Sequence, residues 1–202
     1  MTTARDLAIV ALDVASGRSV EQGDLSLALA AAEVLDLLDA GAITLDEDRI
    51  VPGPQAATGD RLLDEASASL VRQEPYETVE DWLWRRGREL ASAYVHDLEK
   101  IGLTSRPRGR RLPLLSGRAV PVDSPARSAA EERRASGEAV FAALTAAAGV
   151  TEKEPEFDEN VVGEVVTTVL AAVGDAVMEL EAVRQRRAIE SSAFDNVWRG
   201  GV

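Results

Sequence analysis

The sequence predicts a mainly α-helical single-domain bundle with a protruding β-hairpin and a small N-terminal hairpin. Three observations carry this reading. Apolar residues recur at three- and four-residue spacing over several long stretches, strand-like runs are few and short, and a chain of 202 residues suits one core. The single domain is therefore drawn over residues 1–202. A hydrophobic fraction of 46% is too high for a disordered chain.

Residues Leu7 to Leu12 form a short apolar run ending at Asp13, compatible with strand or helix, and Ser16-Gly17-Arg18 reads as a turn. From Leu25 to Ala40, Leu25, Leu29, Ala32, Leu35 and Leu38 repeat at helical spacing, with Gly41 as the C-terminal cap. Ile43, Leu45, Ile50 and Val51 flank Asp46-Glu47-Asp48 in the pattern of a small hairpin with a polar turn, followed by a loop from Pro52 to Gly59. Asp60 to Val71 reads as an amphipathic helix with an acidic start. Thr78 is placed to cap a further helix whose apolar stripe runs through Val79, Trp82, Leu83, Leu90, Tyr94, Leu98 and Ile101, as one helix or as two around Gly87. Ser124-Pro125 marks the start of a helix expected to reach Ala148. Thr151 to Asn160 is an acidic loop, and Val162, Val165, Val166, Val169, Val173, Val177 and Leu180 share one face of a last long helix expected in the core.

Composition narrows the chemistry. Thirty-five acidic against 22 basic residues give a net charge of -13, a surface field that repels nucleic acid, so no nucleic-acid partner is expected. Cysteine is absent, which removes thiolate nucleophiles and Cys-based zinc sites and suits the cytoplasm. The single histidine, His96, supports neither a metal site nor nucleophilic catalysis, and carboxylate pairs such as Asp64-Glu65 and Glu131-Glu132 read as solvated helix faces. There is no phosphate-cradling glycine loop. Neither a metal nor another cofactor is expected, nor an enzyme. Met1 to Asp13 lacks the pattern of a secretory leader, and charges such as Glu33, Asp36 and Asp39 interrupt every apolar stretch before membrane-spanning length.

Two features favour a binding function. Trp82 falls on the apolar stripe and is expected in the core, whereas Trp84, two positions on, points to another face and is a candidate partner contact. The segment RPRGRRLPLLSGR contains Arg106, Arg108, Arg110, Arg111 and Arg118 and no acid, around an apolar group of Leu112, Leu114 and Leu115. Two short runs about Ser116-Gly117 fit a hairpin with an apolar tip and a cationic base. Guanidinium groups bind phosphate bidentately and apolar tips enter lipid, so the pattern suits an anionic membrane surface. Nucleic-acid phosphate is the rival ligand, and a solvated loop whose arginines pair with the chain's carboxylates is the plain alternative.

GDRLLDEAS from Gly59, EPYETVEDW from Glu74 and a helix ending in DLEKIGL at Leu103 occur in series, and LAIVALDVASGR and LALAAAEVLDLLDAGAITLD precede them. In order and spacing these resemble the Golgi phosphoprotein 3 family over most of the chain, more weakly toward the C-terminus. The resemblance implies a mainly helical fold with a protruding β-hairpin, closed here by Val120-Pro121-Val122, that contacts membrane or mediates self-association. It also implies phosphatidylinositol 4-phosphate binding and an adaptor role, as in eukaryotic members; the composition points to a bacterial member. The family's four lipid-pocket positions fall near Glu21, Ala30, Arg88 and Ala91, of which Arg88 alone keeps the family's residue. At roughly 1.5–3 kcal/mol per charged hydrogen bond, the loss amounts to several kcal/mol of headgroup affinity.

The leading expectation is a peripheral, adaptor-like protein that meets an anionic headgroup or membrane surface through Arg85, Arg86, Arg88 and the segment from Arg106 to Arg118, located in the cytoplasm at the inner face of the membrane. The alternative is a soluble interaction module that binds a protein or self-associates through the hairpin tip and Trp84.

Overall fold

The computed structural model describes residues 2–15, 20–54, 57–105, 119–151 and 162–199, with side chains at 120 and 192–199 excepted. It is mainly helical, with α1 (Thr3–Ala15), α2 (Gln22–Asp39), α3 (Arg61–Ala68), α4 (Val79–Arg86), α5 (Leu90–Lys100), α6 (Pro125–Ser136), α7 (Ala139–Ala147) and α8 (Glu164–Arg199). Two antiparallel pairs complete it: β1 (Ile43–Asp46) with β2 (Arg49–Pro52), and β3 (Thr104–Ser105) with β4 (Val120–Pro121).

Helix α2 is the axis of the bundle. Every residue from Leu25 to Leu37 is buried, because α1, α3, α4, α5, α7 and α8 all pack around it. A helix that is apolar all round must be enclosed, and its alanines at 28, 30, 31 and 32 let neighbours approach closely. The helix ends in a Schellman motif: Gly41 N–H donates to Leu38 O at 3.0 Å and Ala42 N–H to Leu37 O at 2.9 Å, with Gly41 at φ +64°.

The apolar run Leu7–Leu12 is helical, within α1. Its free N–H groups are satisfied from two sources. Thr2 Oγ1 accepts from Arg5 N–H at 3.3 Å, while the Asp36 carboxylate on α2 accepts from Thr3 and Ala4 N–H at 2.8 and 3.0 Å. Burial pushes the Asp36 carboxyl above its ordinary range, and those backbone hydrogen bonds pull it back down.

The small hairpin forms as expected, with Asp46 closing β1 opposite Arg49 and Glu47 in the turn in the left-handed region at φ 55°. Asp60 caps α3 by accepting from Leu62 and Leu63 N–H, and Thr78 caps α4 by accepting from Asp81 N–H at 3.0 Å. The stripe from Val79 to Ile101 is two helices, separated at Gly87-Arg88-Glu89 with Glu89 at φ 57°. Ser124 and Pro125 begin α6 as expected, but the helix drawn to Ala148 breaks at Gly137 (φ 71°) into α6 and α7.

On α8, Val169, Val173 and Ala176 are buried, whereas Val165, in the first turn of the helix, is 42% exposed. Strands β3 and β4 form the base of the second hairpin, with Ser105 opposite Val120. The segment 106–118, holding Arg106, Arg108, Arg110, Arg111, Arg118, Leu112, Leu114 and Leu115, lies outside the described residues.

Candidate functional site

The cationic run Arg85, Arg86, Arg88 straddles the end of α4, where each residue takes a different direction. Arg86 turns inward. Its Nε and Nη2 donate to the two carboxylate oxygens of Glu33 at 2.7 and 2.9 Å, and Nη2 also donates to Leu62 O at 3.0 Å. Glu33 is fully buried on α2 and also accepts from Tyr94 Oη at 3.1 Å. Burial pushes the Glu33 carboxyl above its ordinary 4.5, and the Arg86 guanidinium and Tyr94 hydroxyl work against that shift. Burial and then the neighbouring Glu33 charge hold the Tyr94 phenol well above its ordinary 10.0.

Arg85 runs back along the protein. Its guanidinium forks onto Glu77 at 3.0 and 2.7 Å, donates to Ser69 O at 3.2 Å and lies 5.1 Å from the Trp82 ring centre. Trp82 is fully buried and donates through Nε1 to Ala30 O at 3.1 Å, the core position expected of it.

Arg88 is exposed, with no ion-pair partner among the described residues. It borders a groove of about 360 Å³ together with half-buried Trp84, Ser26, Gly87, Ser92 and Leu180. The first turn of α2 and the start of α5 both border this groove through Gln22, Gly23 and Ser92; α2 receives no side-chain cap, whereas in α5 the Ala91 N–H donates to Ser26 Oγ at 3.1 Å. The uncapped start of α2 presents N–H groups and the positive end of the helix dipole, and Arg88 adds a full charge. Glu89 contributes one carboxylate to the rim.

Two contacts fix this groove. Gly87 sits so tightly that a Cβ there would lie 2.5 Å from Leu83 O, which sets the turn between α4 and α5. Across the opening, Arg184 of α8 forks onto Asp24 at 2.7 and 3.1 Å, holding Leu180 over Gly23.

A larger trough of about 790 Å³ lies elsewhere, between α8 and the α4 start, and is lined by Asp48, Glu80, Glu164, Asp175 and Glu179. Its charge is wrong for an anionic ligand, so size does not make it the better match to the expected chemistry. His96 is exposed, and no group of three or more His, Cys, Asp or Glu among the described residues is arranged to hold a metal ion.

Of the expected contact residues, the structure brings Trp84 and Arg88 together and directs Arg85 and Arg86 to carboxylates of the protein itself. The groove residues Ser26 and Leu180 come from helices far apart in sequence and carry no motif.

The fold is a mainly helical bundle with small antiparallel hairpins. The family model described as Golgi phosphoprotein 3 (GPP34) matches residues 4–193, and the chain belongs to that family. No curated protein matches the sequence. No helix among the described residues is long and apolar enough to cross a membrane.

Proposed function

We propose that this protein is a non-enzymatic, peripheral member of the Golgi phosphoprotein 3 family that engages anionic membrane surfaces through the groove between Trp84 and Arg88. The observation that carries the reading is the position of Arg88, the one arginine of its run without a carboxylate partner among the described residues, beside Trp84 and the uncapped start of α2. Phosphate is the ligand this combination suits: the guanidinium supplies a bidentate donor, the start of α2 supplies N–H groups, and the half-buried indole offers an amphipathic face for the interface. The arginine-rich segment 106–118 is a second, less specific contact.

With one guanidinium at the groove, anionic charge in general is favoured over a particular phosphoinositide. The test is co-sedimentation with neutral, generic anionic and phosphatidylinositol 4-phosphate vesicles at two salt concentrations. Salt-sensitive pelleting with all anionic vesicles, weakened by Arg88→Ser and strengthened by Glu89→Gln, supports the groove. Equal pelleting by wild type and Arg88→Ser rejects it. Unchanged pelleting when Arg106, Arg108, Arg110 and Arg111 are replaced by Ser rejects the second contact. Absence of vesicle binding leaves the soluble interaction module, working through Trp84 and the Leu112, Leu114, Leu115 tip, as the better reading.

A further inference from the structure

Arg184 of α8 lies against the first turn of α2 and forks onto Asp24, with Nη2 donating to Oδ1 at 2.7 Å and Nη1 to Oδ2 at 3.1 Å. The pair stands at the edge of the groove. Gly23 and Leu180, which line it, approach so closely that a Cβ on Gly23 would lie 2.6 Å from Leu180 Cδ2 and 2.9 Å from Arg184 Nη2. The side chains of Arg184 and Asp24 are 29% and 14% exposed, so the guanidinium is the more open of the two.

Two N–H···O bonds from one guanidinium to a pair of oxygens are the geometry by which arginine holds carboxylate and phosphate alike. Asp24 also stands in the first turn of α2, where the positive end of the helix dipole favours negative charge. Its carboxylate therefore has the two interactions that a phosphate would find at this edge of the groove. Helix α8 does not depend on the pair for its seat, because buried Val169, Val173 and Ala176 hold it on the bundle two to four turns earlier. An ion pair partly open to solvent is weak, and exchanging one anionic partner for another costs little. Glu181, at 3.4 Å on the same helix, and Glu21 also act on Arg184; both are exposed, so solvent and salt screen them.

We infer that Asp24 is an internal competitor for the anionic ligand of the groove, and that Arg184 is the second guanidinium of that site: a lipid headgroup phosphate displaces the Asp24 carboxylate and takes its place on Arg184. The inference rests on the reading of the groove as an anion site and adds to it a contact residue and a built-in restraint. Sparse surface charge leaves Asp24 in place, whereas dense phosphate replaces it. The single guanidinium of Arg88 is then joined by another, from a helix about a hundred residues further along the chain.

The test is co-sedimentation of the full chain with phosphatidylcholine vesicles carrying a graded fraction of phosphatidylglycerol, with circular dichroism to check folding. Asp24→Asn keeps the shape of the side chain and removes the competing charge. It is expected to tighten binding about two- to fivefold, the strength of a solvent-open ion pair expressed as a ratio of dissociation constants. Asp24→Asn/Arg184→Lys keeps the positive charge but loses the fork, and is expected to fall back to the wild-type level or below. A gain that survives Arg184→Lys is a general effect of net charge and overturns the inference, as does an Asp24→Asn variant that binds no better than wild type. Arg88→Ser separates the two levels of the argument. If it weakens pelleting while Asp24→Asn has no effect, the groove stands and the competitor falls; if pelleting ignores Arg88→Ser, the anion site itself is rejected and the inference with it.

Discussion

Replacing Arg86 by Met separates a structural role from a ligand-binding one. Glu33 is fully buried, and its carboxylate takes two hydrogen bonds from Arg86 and one from Tyr94. Arg86→Met leaves a near-isosteric apolar chain and an uncompensated buried carboxylate, a change that costs about 3–5 kcal/mol in comparable pairs. For a chain of this size that lowers Tm by roughly 6–20 °C. The loss depends on pH in a defined direction. Burial already holds the folded Glu33 pKa above its ordinary 4.5, and removing the guanidinium raises it further. A carboxyl with a folded pKa above its unfolded one binds its proton more tightly in the folded state, so stability rises as pH falls through the folded value and levels off below 4.5. The deficit is therefore largest at neutral pH and narrows on acidification. Thermal denaturation of wild type, Arg86→Met and Arg86→Met/Glu33→Gln between neutral and acidic pH measures this, and the double variant recovers most of the stability because no buried charge remains. A Tm within 2 °C of wild type by the same conversion, combined with loss of vesicle binding, would refute the reasoning and make Arg86 a ligand contact.

Three further outcomes follow from other contacts. Asp64 accepts from the Thr58 N–H and hydroxyl, which hold its carboxyl below the ordinary 3.8, so the stability it contributes is present above that value and lost as pH falls through the folded pKa; Asp64→Asn should lower Tm at neutral pH and match wild type once both pKa values are passed. Thr78→Ala removes the acceptor for Asp81 N–H and should cost about 1 kcal/mol in denaturant unfolding. Gly87→Ala places a Cβ against Leu83 O, forcing the α4–α5 turn to move at a cost of about 1–3 kcal/mol and displacing Arg88; calorimetry reads the first effect and weaker anionic-vesicle pelleting the second.

The sequence carried the local rules well and the long-range ones poorly. Gly41, Thr78 and Ser124-Pro125 mark helix ends because each satisfies backbone groups within a few residues of itself. The break at Gly137 was hidden in an alanine-rich run whose spacing continues the helix on paper, though the left-handed backbone there turns α7 back onto α2. The apolar run in α1 had no readable period because nearly all of it is buried, leaving no polar face to set the phase. At the site, three neighbouring arginines carried equal weight in the sequence. Their fates differ because Glu77 and Glu33, 8 and 53 residues away, claim two of them. Pairing over that distance is a property of packing and leaves no local mark.

The start of α1 shows what such distant pairing means for how the chain reaches its fold. Two of its first three N–H groups are satisfied by Asp36, which belongs to another helix. Helix α1 is thus completed by a residue made thirty-odd positions later, and its first turn should stay open until α2 has formed and docked. In hydrogen exchange, the Thr3 and Ala4 amides should then report on the seating of α2, and Asp36→Ala should expose them while the middle of α1 stays protected.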